Sequence, residues 1–216
     1  MGGDFIPAPA TGYRIAIVRS IAVWLALCVA SCGGDDDGGG NGSDAATGDP
    51  ADASPGDDAG PTATCDDYCA ALTDACVDAL RQYRDLETCL ATCALFPPGQ
   101  PGDEIGNSVA CRAHHAGLAA AVPDPHCYHA GPSGDGVCGD PCDGYCDIMV
   151  PTCEQSYADD AECMAVCAGF PDPRPYTVFE DRVDTAACRL VHATRATIDD
   201  GHCGAASADS GQCVDE

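Results

Sequence analysis

The chain contains no lysine, and its nine arginines stand against 35 acidic residues, for a formal net charge of −26 at pH 7. Nucleic-acid binding needs a basic footprint, so that class of partner is excluded. Attachment through anionic headgroups is disfavoured for the same reason. No CxxC pair occurs, which removes the zinc-ribbon knuckle, the thioredoxin motif and c-type haem attachment. HExxH, GxSxG and P-loop motifs are absent too, and the carboxylates are scattered with no catalytic pair standing out. Period-2 alternation is missing, so strands are not expected. The longest apolar run, "IAVWLALCVA" over 21–30, falls short of the about 20 residues a membrane-spanning helix needs. A (β/α)₈ barrel of typically about 250 residues does not fit either. The reading is therefore non-enzymatic.

Cysteine, by contrast, is abundant: 18 in 216 residues. Two lie early, at Cys28 and Cys32, and the other sixteen divide into two sets of eight. The first is Cys65, Cys69, Cys76, Cys89, Cys93, Cys111, Cys127 and Cys138, separated by 3, 6, 12, 3, 17, 15 and 10 residues. The second is Cys142, Cys146, Cys153, Cys163, Cys167, Cys188, Cys203 and Cys213, separated by 3, 6, 9, 3, 20, 14 and 9. Side chains match as well. Tyr68 and Tyr145 precede the second cysteine of their sets, Tyr83 and Tyr157 lie six before the fourth, and Phe-Pro follows the fifth. "ACR" holds the sixth, with His115 and His192 four residues on, and "HC" marks the seventh at His126 and His202. This is a tandem duplication, with repeats at 65–138 and 142–216.

A unit of about 75 residues has a marginal core unless it is stapled. An even cysteine count then reads as four disulfides per repeat, each worth about 2–4 kcal/mol. The expected fold is all-α and disulfide-rich, with two tandem small domains of about three short helices each, after a disordered tether. In repeat 1 the helices are expected over 64–80, over 85–96 opened by Asp85, and over 107–121. In repeat 2 they are expected around 143–149, 160–168 and 185–197. Cys65, Cys69 and Cys76 fall within about 40° of one another on a helical wheel. Two Cx3C pairs on antiparallel helices can bridge twice when paired residue numbers share one sum. Cys65–Cys93 with Cys69–Cys89 meets that condition, as does Cys142–Cys167 with Cys146–Cys163. A competitor, Cys69–Cys93 with Cys76–Cys89, stays open, because eight cysteines allow 105 connectivities. Partners for Cys76, Cys111, Cys127, Cys138, Cys153, Cys188, Cys203 and Cys213 are not assigned.

The doubly stapled hairpin resembles the twin Cx3C hairpins of small mitochondrial intermembrane chaperones over some 30 residues per repeat. The extra cysteines depart from that family, so no chaperone function is carried over. The repeats as a whole resemble eight-cysteine repeats of uncharacterised exported bacterial proteins, for which the resemblance implies no activity.

Upstream, Arg14 and Arg19 precede the short apolar run, and Val29-Ala30-Ser31 precede Cys32. A basic region, a short apolar segment and small residues read as a secretory signal over 1–31. An aliphatic residue, two small residues and cysteine resemble the lipobox of bacterial lipoproteins. The resemblance implies that Cys32 is the acylated first residue of the mature chain, and that acyl chains anchor it in the membrane. From Cys32 onward, 34 acidic residues face seven arginines, a formal net of −27. The 32 residues from Gly33 to Thr64 hold nine Gly and eight Asp, and no Lys, Arg or aromatic. Such a composition buries no core and reads as a tether. The expected address is the bacterial cell envelope, outer membrane or surface. The expected partner there is an unidentified protein or envelope component.

Histidine is the one lead to chemistry. His115, His126, His192 and His202 match between repeats, while His114 and His129 occur only in the first. Two neutral imidazoles converging in each repeat can hold copper, zinc or a haem iron. That is the alternative function, a metal- or haem-binding redox lipoprotein. The plainer expectation is that these rings pack beside the disulfides and hold no cofactor. A metal site requires ring nitrogens about 3–3.5 Å apart, so that both reach one ion at about 2.0–2.1 Å. It also requires a third ligand, and no residue common to both repeats is nominated. Arg112 and Arg189, each after the sixth cysteine, read as clamps on helix-end carbonyls. The matched Tyr and Phe read as core.

Overall fold

The computed structural model describes residues 62–171 and 175–214. The signal segment 1–31, Cys32 and nearly all of the 32–64 tether lie outside the described residues. Those described hold eight α-helices and no strand. Repeat 1 contains α1 (Cys65–Ala75), α2 (Leu86–Cys93), α3 (Val109–Ala119) and α4 (Pro123–Ala130). Repeat 2 contains α5 (Pro141–Thr152), α6 (Asp160–Cys167), α7 (Ala186–Ala196) and α8 (Cys203–Ala206).

Caps explain where the helices start. The side chains of Thr64, Asp85, Ser108, Asp159 and Thr185 each accept a hydrogen bond from the backbone N–H three residues on. Each satisfies one of the orphan donors of a first helical turn. Asp140 and Asp143 form a reciprocal capping box at α5. Ends are less regular. The first helix stops at Ala75 instead of running on to Leu80. Asp78 takes a left-handed φ of 50° there and opens a 3₁₀ turn over Asp78–Leu80. Two short helices beyond the three expected in each repeat, α4 and α8, carry its seventh cysteine.

Each repeat is closed by its own four disulfides. Cys65–Cys93 and Cys69–Cys89 tie α1 to α2, and Cys142–Cys167 and Cys146–Cys163 tie α5 to α6. Cys76–Cys127 and Cys153–Cys203 join the end of the first helix to the fourth. Cys111–Cys138 and Cys188–Cys213 join the third helix to the segment that ends the repeat. In both repeats the order is therefore first to fifth, second to fourth, third to seventh and sixth to eighth. Disulfides at this density belong to an oxidising environment.

The matched side chains take matched places. Tyr68 Oη donates to Ala130 O at 2.6 Å and lies 3.2 Å from Tyr83 Oη. Tyr145 Oη donates to Ala206 O at 2.7 Å and lies 2.8 Å from Tyr157 Oη. Phe96 and Phe170 sit beneath the guanidinium groups of Arg112 and Arg189. Although no disulfide links the repeats, they share an interface. Val178 N–H donates to Arg81 O at 3.0 Å, and Asn107 Nδ2 to Asp147 Oδ2 at 2.7 Å. One apolar cluster includes buried side chains from both, and the described residues belong to one compact unit. No helix among them is long and apolar enough to cross a membrane.

Candidate metal centre

The third helix of each repeat positions one histidine a turn beyond a bridged cysteine. On α3, Cys111 and His115 are four residues apart and both buried. On α7 the pair is Cys188 and His192, again both buried. The second histidine arrives from a separate segment, held by the long-range bridge at its neighbour: His126 by Cys127–Cys76, and His202 by Cys203–Cys153.

The result is the same in both repeats. His115 Nδ1 lies 2.9 Å from His126 Nδ1, with the rings stacked at 25°. His192 Nδ1 lies 3.2 Å from His202 Nδ1, with the rings at 28°. The other nitrogen of the buried ring faces a backbone carbonyl, His115 Nε2 to Glu104 O at 3.1 Å and His192 Nε2 to Asp181 O at 3.3 Å. A carbonyl only accepts, so Nε2 carries the proton and Nδ1 presents its lone pair. Burial is the main cause that pushes the His115, His129 and His192 pKa values below the ordinary histidine range. The Glu104 and Asp181 carbonyl bonds act in the opposite direction on His115 and His192. All three rings are thus held in the neutral form that ligates metals.

Repeat 1 adds a third ring. His129 lies one turn after His126 on α4, and its ring centroid is 4.9 Å from that of His115. One nitrogen from each of His115, His126 and His129 lies within 4.8 Å of the others. His129 Nδ1 is buried without a hydrogen-bond partner, and His129 Nε2 lies 3.9 Å from Asp135 Oδ2. Pro123 and Pro125 mask α4 in the sequence, so the approach of His129 to this pair is not expected from it. The spacing of His126 and His129, three apart and so on one helical face, was the signal available. Repeat 2 has Ala205 at the equivalent position. Two further clusters, Cys111 with His115 and Cys138, and Cys188 with His192 and Cys213, are close enough to ligate. Their sulfurs are spent in disulfides, which leaves no thiolate to offer.

The arginines are clamps. Arg112 is fully buried and donates to Gly131 O, Asn107 Oδ1, Ser108 O and Pro132 O at 2.9–3.3 Å. Arg189 donates to Asp184 Oδ1, Thr185 O and Ala208 O.

Residues 48–141 match a family described as the BfoA family C-terminal domain. The match takes in the whole of repeat 1, with its four disulfides and three clustered histidines, and ends before Cys142. No curated protein and no solved structure matches the chain.

Proposed function

We propose that the chain is a lipid-anchored, extracytoplasmic protein with a binding or structural role and no catalysis of its own. The observation that carries this reading is the doubled disulfide pattern. Sixteen cysteines close two copies of one helical unit, so the backbone is locked before any partner arrives. A locked surface loses little conformational freedom on binding, which is what a recognition module in an oxidising compartment needs. The high negative charge keeps such a displayed protein soluble. Val29-Ala30-Ser31-Cys32 supplies the anchor, and the acidic segment after it holds the module away from the membrane.

Cys32→Ser tests the anchor. The variant should lose acyl labelling and leave the membrane fraction, with its sixteen downstream cysteines still oxidised. Labelling and fractionation equal to wild type would overturn the reading.

A second reading, a metal-binding lipoprotein, is favoured by one observation. Facing Nδ1 atoms stand 2.9 and 3.2 Å apart in the two repeats.

A further inference from the structure

We infer that repeat 1 alone holds one transition-metal ion of the copper, nickel or zinc class, ligated by His115, His126 and His129. The paired histidines of repeat 2 are the metal-free counterpart. This rests on the metal-binding reading and is independent of the acyl anchor.

Distance comes first. Two nitrogens at about 2.0–2.1 Å from one ion are about 2.9 Å apart when they subtend a right angle and about 3.3–3.4 Å apart at the tetrahedral angle. The His115–His126 separation of 2.9 Å falls at the lower end of that range. Two ligands opposite each other across an ion stand about 4.1 Å apart. All three nitrogens of the cluster lie within 4.8 Å of one another, which places the His129 nitrogen near that range.

The protein has already arranged what usually surrounds such ligands. A metal-bound histidine almost always gives its other N–H to a carbonyl or carboxylate, which orients the ring. Here Glu104 O serves His115, and the Asp135 carboxylate stands beside His129. A buried nitrogen without a partner is costly and calls for an ion or a water. His129 Nδ1 is such an atom, and the His129 ring belongs to the cluster.

Repeat 2 serves as an internal control. It keeps the two matched rings and their carbonyl partner but lacks two features. Ala205 stands where His129 does, so the third ligand is gone. Arg195 takes the place of Leu118 and lines the same cavity as His192 and His202. It is paired to Asp181, whose carbonyl holds the His192 ring. A cation entering that pair would meet a guanidinium. Only the first repeat combines three rings with no arginine at that position.

Three neutral imidazoles select the class of ion. They suit Cu(II), Ni(II) and Zn(II), with Cu(II) tightest by the general order of divalent affinities, and they do not suit Ca²⁺ or Mg²⁺. The set leaves a coordination position open to water or to a small ligand.

The test uses the oxidised full chain, freed of metal by chelation and dialysed against Cu²⁺ or Zn²⁺ in excess Ca²⁺, which occupies the acidic surface. Elemental analysis should find one copper or zinc per chain. His129→Ala should weaken binding at least about tenfold, since even an outer-shell partner is worth about 10–100-fold. His126→Ala should abolish it, and His202→Ala should leave one ion per chain. Thiol counts confirm that each variant remains bridged. Copper-loaded wild type should show nitrogen hyperfine coupling in its paramagnetic resonance spectrum, a readout that needs no variant to fold. No retained metal would overturn both this assignment and the metal-binding reading. Retained metal that ignores His126→Ala and His129→Ala, or an oxygen-only copper spectrum, would overturn the assignment alone. Two ions per chain, one lost with His202→Ala, would overturn the asymmetry.

Discussion

Replacing Arg112 with methionine removes a buried fork of donors while keeping most of its volume. Two of the four acceptors keep another partner: Ser108 O still takes Arg112 N–H, and Gly131 O still takes Gly134 N–H. The loss falls on Pro132 O, which is buried and cannot turn to water, and on Asn107 Oδ1. An unsatisfied buried acceptor costs about 1–3 kcal/mol. Losing the guanidinium from 3.9 Å above the Phe96 ring adds about 0.5–2 kcal/mol. Relief from burying a charge works the other way, and burial does push the Arg112 pKa down. The net expectation is about 3 kcal/mol. Arg189→Met in repeat 2 should cost less, about 1–2 kcal/mol. Two of its acceptors, Asp184 Oδ1 and Ala208 O, are on residues open to solvent, and Arg189 Nε has no partner to lose. Guanidinium unfolding with disulfides intact, followed by circular dichroism, measures both. Arg112→Lys should not rescue, because an ammonium cannot reproduce the planar fork. An Arg112→Met protein within 1 kcal/mol of wild type, or more stable than Arg189→Met, would refute the reasoning.

Glycine substitutions should split by position. A Cβ at Gly144 would run into the Pro132 carbonyl oxygen, so Gly144→Ala should cost at least about 1–3 kcal/mol. Gly117, exposed inside α3 with nothing within 4 Å of its Cβ position, should gain about 0.5–1 kcal/mol as Gly117→Ala. The same denaturant curves report both. Alkaline titration should find Tyr68 ionising late, because burial pushes its pKa up to about 12, while unfolded tyrosine ionises near 10. The folded state then holds the proton longer, so the stability Tyr68 contributes is whole below about pH 10 and is lost as pH climbs towards 12. A melting midpoint flat across that range would contradict this. Removing the Cys76–Cys127 bridge by double alanine substitution should cost about 4 kcal/mol, and removing Cys69–Cys89 about 3 kcal/mol. The first closes 51 residues and the second 20.

Much of this fold was legible because it is local or doubled. The duplication needed only the order of cysteines and the neighbours Tyr68, Phe96, Arg112 and their counterparts. Asp85 and Thr64 marked helix starts, since a cap acts over three residues. The hairpin pairs Cys65–Cys93 and Cys69–Cys89 join adjacent helices, so two pairs with one residue-number sum already describe antiparallel neighbours. The first helix was read too long because its end depends on Asp78 turning left-handed, which nothing in the local apolar pattern signals.

The sequence by itself determined the parity and grouping of the staples, the helical class and the acidity, all carried by composition and short-range order. Only the tertiary structure decided that Cys76 meets Cys127 and Cys111 meets Cys138, that the repeats share an interface, and that His129 joins His115 and His126. Each of those brings together residues from different segments, and their meeting depends on how the helices pack. Spacing along the chain put His126 and His129 on one face but did not say that His115 would face them.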